Sequence, residues 1–489
     1  MLRSRYLSTN SNINLVSDYL PFDLTQNYNR SIYPPFLVML DSELGTSYEG
    51  KTQTSKRLFH KATKVFAGGI NHNIRFFKPY PFFSKWAKGK NLCDVDDNEY
   101  TDYWMGHWSL ILGHSPRTVV NALSQQLRNG TLYGTANEIS VELGELIQKL
   151  MPGAENLRFS STGSEATMYA VRLARAKSRK RIIAKIIGGW HGFNTTLMQT
   201  VNYPFHKHEG AGLVAEEEQF VESLPFNDLD SSIKILESAI DDLACIILEP
   251  ILGGAGCITP DLRYIKGLQE FAQKNDIIFI LDEIVTGFRL SIGGASQKYN
   301  LKPDLFTLGK IVGGGMPIGI VCGKKEVMSL ADPVLIKENQ ARCNIGGGTY
   351  SCNPMSMAAG LATINYLNKS RDEIYQRINE LGAKARDGLA TIFKEAKIDV
   401  QVTGEGSLFL THFLNSKVRR IRNAADAAMS DRGLLHRYHM GLMASHQIFF
   451  LPLKMGAISS VHTENDITHL LEATRLLVNS GTLSLAKVS

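Results

Sequence analysis

Between residues 116 and 367, apolar runs of strand length alternate with amphipathic segments of helix length, an alternation that few architectures accommodate. LRFSS, RIIAKII, ACIILEPIL and IIFILDEI are near-continuous apolar runs, whereas TVVNALSQQLRNG, ISVELGELIQKLMPG, TGSEATMYAVRLARAKS and YIKGLQEFAQKND carry apolar residues at helical spacing. A strand that is apolar on both faces must be covered on both faces, and helices between successive strands supply the cover. The expected fold is α/β, with a mostly parallel sheet covered by helices. In such sheets ligands bind beyond the carboxyl ends of the strands. Polar residues gather there: Thr162, Gly163 and Ser164 after one strand, Glu249 after another, Asp282 after a third.

A chain of 489 residues is too long for one small core, so several domains are expected. Residues 1–55, rich in Asn, Ser, Tyr and Pro and without sustained periodicity, read as an extended or loosely packed arm. Residues 56–115 hold a helix-like SKRLFHKATKVF, strand-like pieces around LCDVDDNEYTDYW with a turn at Asp97-Asn98, and a loop, MGHWS, where aromatic and histidine side chains cluster. This segment is expected to pack with the small domain. Residues 116–367 form the large domain, and residues 368–489 a smaller α+β domain that contains GSLFLTHFL and a last helix capped by Thr463 and Asp466.

Composition excludes several classes of partner. The 53 basic and 47 acidic side chains give a net charge of only +6, and no basic run is interleaved with aromatics, which argues against nucleic acid. No apolar stretch approaches the ~20 residues that cross a bilayer. The six cysteines are scattered, with no CxxC pair and no zinc spacing, so no metal is expected and the thiols read as reduced and structural in a cytoplasmic protein. The basic, hydroxyl-rich MLRSRYLSTN reads as an ordinary tail.

The stretch from Ile277 to Gly323 carries the chemistry. It pairs an acid at a strand's end, Asp282, with Lys310 in TLGKIVGGG, between apolar residues and three glycines. Burial there would depress the lysine's pKa and make it a usable amine nucleophile. A carboxylate beside a heterocyclic cation and an amine that captures an aldehyde are the requirements of pyridoxal 5'-phosphate, whose ring must stay protonated to draw electrons from a carbanion. STGSEA at Ser161–Ala166 places free N–H groups at a strand-to-helix junction, suited to a phosphate or to an ordinary N-cap. Trp190 and Ile284 are candidates for the two faces of the ring. The order GKIVGGG is not that of a nucleotide phosphate loop.

The motifs GGINHNIR, LILGH, SSTGSEATMYAVRLAR, WHG, LPFND, LEPILGGAG, LDEIVTGFR, PDLFTLGKIVGGGMPIG, GTYSCNPMSMAAG, GSLF and HTENDI stand in one order over roughly Ser55 to the end. On these the chain resembles the class III aminotransferases of the fold type I pyridoxal-phosphate enzymes, and within them the glutamate-1-semialdehyde 2,1-aminomutase branch. The resemblance implies Lys310 as the Schiff-base lysine, Asp282 as partner of the ring nitrogen, Gly163 and Ser164 at the phosphate, and Trp190 on the ring. His191 and Glu249 would support the cofactor. Thr349 would reach the phosphate of a neighbouring subunit, which implies a homodimer with shared sites, and Arg75 would bind a substrate carboxylate. Around it the chain departs from the branch: His72 and Asn73 replace serine and proline, Gly254 an asparagine, Val285 a methionine and Lys454 an acid, while His107 and Trp108 alter the loop before LILGH. Arg75, His72 and Trp108 are thus the expected substrate contacts. The implied activity is amino transfer on a carboxylate-bearing substrate; the alternative is the mutase reaction that makes 5-aminolevulinate.

Overall fold

The computed structural model describes residues 42–206, 209–338 and 340–483. Three sheets organise them. The first starts as an antiparallel meander of β1 (Ser84–Lys88), β2 (Asn91–Asp94) and β3 (Glu99–Asp102), and Asp97 makes the β2–β3 turn at φ 63°. The second contains β4 (Asn156–Ser160), β5 (Ile182–Ile186), β6 (Val221–Leu224), β7 (Leu243–Leu248), β8 (Ile278–Asp282), β9 (Leu305–Gly309) and β10 (Gly319–Gly323). Its spatial order is β4-β10-β9-β8-β7-β5-β6. β10 runs antiparallel to both neighbours, and every other adjacent pair is parallel. The third pairs β11 (Val400–Thr403) with β12 (Leu408–Phe413); β13 (Ile448–Phe449) returns parallel to β3, and β14 (Gly456–Ala457) pairs antiparallel with β12.

Every residue of β7, β8, β9 and β10 is buried, as continuous apolar runs require. The two-residue period of a strand then divides the side chains between two cores. Ile183, Cys245, Ile247, Ile278, Ile280 and Leu305 pack with Ala170, Leu173 and Ala174 of the helix Gly163–Ser178. Their neighbours Ala184, Ile246, Leu248, Phe279, Leu281 and Phe306 face the opposite core with Leu268 and Ala272 of the helix Leu262–Lys274. Each buried Ile, Leu or Phe contributes about 1.5–3 kcal/mol, so the double cover is the main support of the sheet.

Of the expected arm, residues 1–41 lie outside the described residues, whereas Ser42–Lys51 and Gln53–Ala62 are helical, with Tyr48 buried and its hydroxyl donating to Tyr80 O at 3.0 Å. The last helix, Glu464–Asn479, has the capping box of Thr463 and Asp466. All six cysteines are free. Among the described residues no helix is long and apolar enough to cross a membrane.

Candidate active site

Three adjacent parallel strands end in the three ionisable residues of the site: Glu249 follows β7, Asp282 closes β8 and Lys310 follows β9. Asp282 is buried and takes three donors. His191 Nδ1 lies 2.7 Å from Oδ2; Thr307 Oγ1 and Ile284 N donate to Oδ1 at 2.9 and 3.2 Å. Thr307 reaches it because Asp282 and Thr307 are register partners of β8 and β9. Sequence reasoning passed over Thr307, whose signal was a hydroxyl in the otherwise apolar LFTLG. His191 is wholly enclosed, and burial holds its imidazole below the ordinary value against the pull of Asp282. Its Nε2 is buried without a hydrogen-bond partner, as suits the neutral tautomer whose proton lies on Nδ1.

Glu283, next in the chain, turns to the other side of the strand. It accepts from Ala295 N, Ser296 N and Thr286 Oγ1 at 2.6, 2.9 and 3.0 Å, which anchors the start of the helix Gly294–Tyr299. It is therefore structural, and Asp282 alone of the pair faces the site.

Lys310 adopts φ 50° directly after Gly309. It keeps an opening to solvent, yet protein surrounds it deeply enough that burial lowers its pKa, opposed by the charges of Asp282 and Glu249. Its Nζ stands 5.9 Å from the centre of the Trp108 ring. Glu249 accepts from Trp190 N at 2.9 Å and Gly253 N at 3.2 Å; burial first, and then the charge of Asp282, push its carboxyl up to about 7.

At the end of β4, Thr162 caps the helix Gly163–Ser178 and Glu165 closes a capping box, accepting from Ser161 N and Thr162 N at 2.8 and 2.9 Å. That leaves the N–H groups of Gly163 and Ser164, which as first helical residues have no intrahelical acceptor. The junction is thus both an N-cap and a place for an anion. Gly192, at φ 88°, must be glycine, because a Cβ there would stand 2.4 Å from Ser164 Oγ. A Cβ on Gly163 would stand 2.5 Å from Ile284 Cδ1, so Ile284 seals the same corner. Trp190 keeps 37% of its surface exposed and meets Phe193 edge-on at 5.0 Å. Thr349 stands on an exposed turn, apart from the hydrogen bonds around Asp282.

Of the residues expected to meet a substrate, Trp108 lies on a strained segment. Met105, Gly106, His107 and Trp108 all have positive φ, from 47 to 65°, and form one left-handed turn. Such turns cost about 1–2 kcal/mol per non-glycine residue and persist where the surroundings enforce them. Trp108 Nε1 donates to Met455 O at 2.8 Å, and Arg289 donates to Trp108 O at 2.6 Å. His72 lies 5.8 Å from His107, ring to ring, and its Nδ1 accepts from Ile74 N at 3.4 Å. Arg75 is exposed at the end of the short turn Asn73–Arg75, close enough that its charge, with those of Lys310, His72 and Lys454, adds to burial in holding His107 down at about 2. His72, Trp108 and Lys310 are thus brought together, with Arg75 beside them.

The sequence profile of the family described as aminotransferase class-III matches residues 76–450. The chain belongs to the class-III aminotransferase family. Glutamate-1-semialdehyde 2,1-aminomutase of Archaeoglobus fulgidus is 36% identical over 428 residues, covering 86% of this chain and 99% of that protein. The enzyme of the same name from Methanothermobacter thermautotrophicus is 37% identical over 422 residues, covering 86% and 97%. Among solved structures, an omega-transaminase from Sphaerobacter thermophilus superposes with a TM-score of 0.82 at 28% identity, covering 89% of this chain and 99% of that one. Class-III aminotransferases are pyridoxal-phosphate enzymes of fold type I, and the mostly parallel sheet with its two helical layers is that fold.

Proposed function

We propose that this class-III aminotransferase moves an amino group on a carboxylate-bearing substrate, with pyridoxal 5'-phosphate held between Gly163 and Lys310. The observation that carries the reading is the row of Glu249, Asp282 and Lys310 at the ends of β7, β8 and β9. The residues fit the cofactor. Two N–H groups without helical acceptors, a close approach that only Gly192 permits, a part-exposed indole and a buried carboxylate suit a phosphate, a flat ring and a ring nitrogen. When bound, the cofactor supplies an aldehyde for amine exchange and an electron-withdrawing ring. Asp282, oriented by His191 and Thr307, would hold the proton at the ring nitrogen. Lys310, its pKa lowered by burial, would hold the cofactor through its amine and would carry the proton at the substrate carbon. Trp190 and Ile284 would enclose the ring, and the charge of Glu249 acts on Lys310 against the lowering of its pKa by burial. Arg75 offers a planar fork to the substrate carboxylate, beside His72 and Trp108.

Thr349 and the exposed Val334, Leu335 and Tyr350 near it in sequence support a homodimer in which each subunit completes its partner's phosphate site. Six unpaired cysteines support a reducing compartment, the cytoplasm.

A second reading, the mutase that converts glutamate-1-semialdehyde to 5-aminolevulinate, is favoured by the names of the archaeal relatives. One experiment separates the two. The enzyme is loaded in its amine form and given glutamate-1-semialdehyde alone, and 5-aminolevulinate is followed over many turnovers. Amino transfer between molecules predicts one half-reaction that stalls until a keto acid is added, whereas sustained production establishes the mutase.

A further inference from the structure

We infer that Asp102 and His114 form a clamp that fixes the left-handed turn Met105–Trp108 and so keeps the Trp108 indole at Lys310, which makes both of them positioning residues for amino transfer. The inference rests on the amino-transfer reading of this site and gives the histidine of LILGH a part in it.

A left-handed turn needs support from outside itself, because the Cβ atoms of Met105, His107 and Trp108 are crowded at positive φ. Inside the turn, Trp108 N donates to Trp104 O at 2.9 Å and Ser109 N to Met105 O at 3.0 Å. The N–H groups at its start are taken by a side chain. Trp104 N and Met105 N both donate to Asp102 Oδ1, at 2.7 and 3.0 Å. The other carboxylate oxygen, Oδ2, lies 2.7 Å from His114 Nε2, and since a carboxylate only accepts, that nitrogen carries the proton. Asp102 is 1% exposed, so neither oxygen has water as an easy substitute partner.

His114 is itself fixed by a different part of the chain. Its N–H donates to Gly89 O at 2.7 Å, and Gly89 N donates to its carbonyl at 2.9 Å, which ties it to the turn after β1. Gly113, at φ 78°, permits that approach: a Cβ there would stand 2.8 Å from Gly89 O. Asp102 N donates to Lys90 O at 2.8 Å, so the carboxylate is held from the β2–β3 side and from His114, and it passes that position to the turn. At the far end of the turn, Arg289 donates to Trp108 O and Trp108 Nε1 donates to Met455 O. Between these anchors the Trp108 ring centre stands 5.9 Å from Lys310 Nζ. Without the carboxylate, two N–H groups lose their acceptor and the turn relaxes toward negative φ, which carries the indole away from the amine.

The test uses the full chain, with and without cofactor. In the cofactor-free protein, near-ultraviolet circular dichroism follows the Trp104–Trp108 pair, edge-on with ring centres 4.9 Å apart, and the rate of carbamylation by cyanate follows the access of Lys310. Asp102→Ala should weaken the dichroic band and carbamylate Lys310 at least about fivefold faster. In the holoenzyme, the half-reaction with glutamate should show a KM raised at least about tenfold and a rate constant within about threefold of the wild type. Asp102→Asn keeps Oδ1 as the acceptor of both N–H groups and should behave as the wild type. His114→Ala should move all three readouts in the same direction by less, and His114→Gln, which returns an N–H donor, should recover them. Where Asp102→Ala does not fold, the two His114 variants decide. The inference is overturned if His114→Ala loses stability in urea with the band and the cyanate rate unchanged, or if its rate constant falls at unchanged KM. If the wild type exchanges no amine with glutamate or alanine, amino transfer falls, and the cofactor-free readouts still decide whether the clamp holds Trp108 at Lys310.

Discussion

Burial sets the carboxyl of Glu249 near neutrality, and this has a direct consequence for stability. Its folded pKa, about 7, lies above the ordinary 4.5, so between those values the native state binds more protons than the unfolded chain. Stability that this group contributes is present below about 4.5, declines as pH rises, and is lost above about 7. Trp190 N and Gly253 N donate to different oxygens of Glu249, so Glu249→Gln keeps an acceptor for one of them only, but it cannot ionise. Urea unfolding of the cofactor-free variant should therefore show a smaller drop in stability between pH 5 and pH 8 than the wild type shows, and an unchanged drop would refute the assignment. Asp282 and Lys310 allow sharper substitutions. Lys310→Ala should abolish multiple turnover, and Asp282→Asn should lower the turnover rate at least about 100-fold, the order expected when a positioned proton carrier is lost. Stopped-flow absorbance checks both, and normal turnover in either would remove that residue from the mechanism.

At the scale of elements, the N-terminus of the helix Gly163–Ser178 depends on a neighbouring loop. Gly192→Ala would force a Cβ to within 2.4 Å of Ser164 Oγ at a φ of 88° that alanine disfavours. It should cost about 1–3 kcal/mol in stability and weaken cofactor binding at least about tenfold. Equilibrium dialysis with pyridoxal phosphate measures the second effect, and unchanged affinity would argue against Ser164 as a phosphate ligand. The strands that carry the site were legible because a buried parallel strand announces itself as an unbroken apolar run, and Glu249, Asp282 and Lys310 interrupt such runs at their ends. The direction of β10 was not legible, since GIVCG reads the same whichever way it runs. Nor was the left-handed turn at Met105–Trp108, where three non-glycine residues take positive φ without any sequence signal. Thr307 was hidden for a different reason: its link to Asp282 depends on register between strands far apart in sequence.

At the scale of the whole molecule, Arg289 ties the site together. Its guanidinium is fully buried and donates to Trp108 O, Ser407 Oγ and Ile458 O at 2.6, 3.0 and 3.4 Å, joining the turn after β8 to the left-handed segment and to the segments that flank β12 and β14. Burial lowers its pKa to about 10, so it remains a cation at neutral pH. Arg289→Met would fill much of the space but leave those acceptors buried without donors, at about 1–3 kcal/mol for each. The expected loss is therefore at least about 3 kcal/mol, measured by urea unfolding. Arg289→Lys retains the charge but lacks the planar fork, and should recover only part of it. The effect should also reach the substrate: Trp108 holds the carbonyl of Met455, so a loosened Trp108 releases that segment as well. In Arg289→Lys the KM should rise more than kcat falls, because Asp282 and Lys310 are anchored by the central sheet, whereas the segment of Trp108, proposed to meet the substrate, is anchored by Arg289. A variant whose kcat collapses at unchanged KM would place Arg289 with the cofactor and contradict this division.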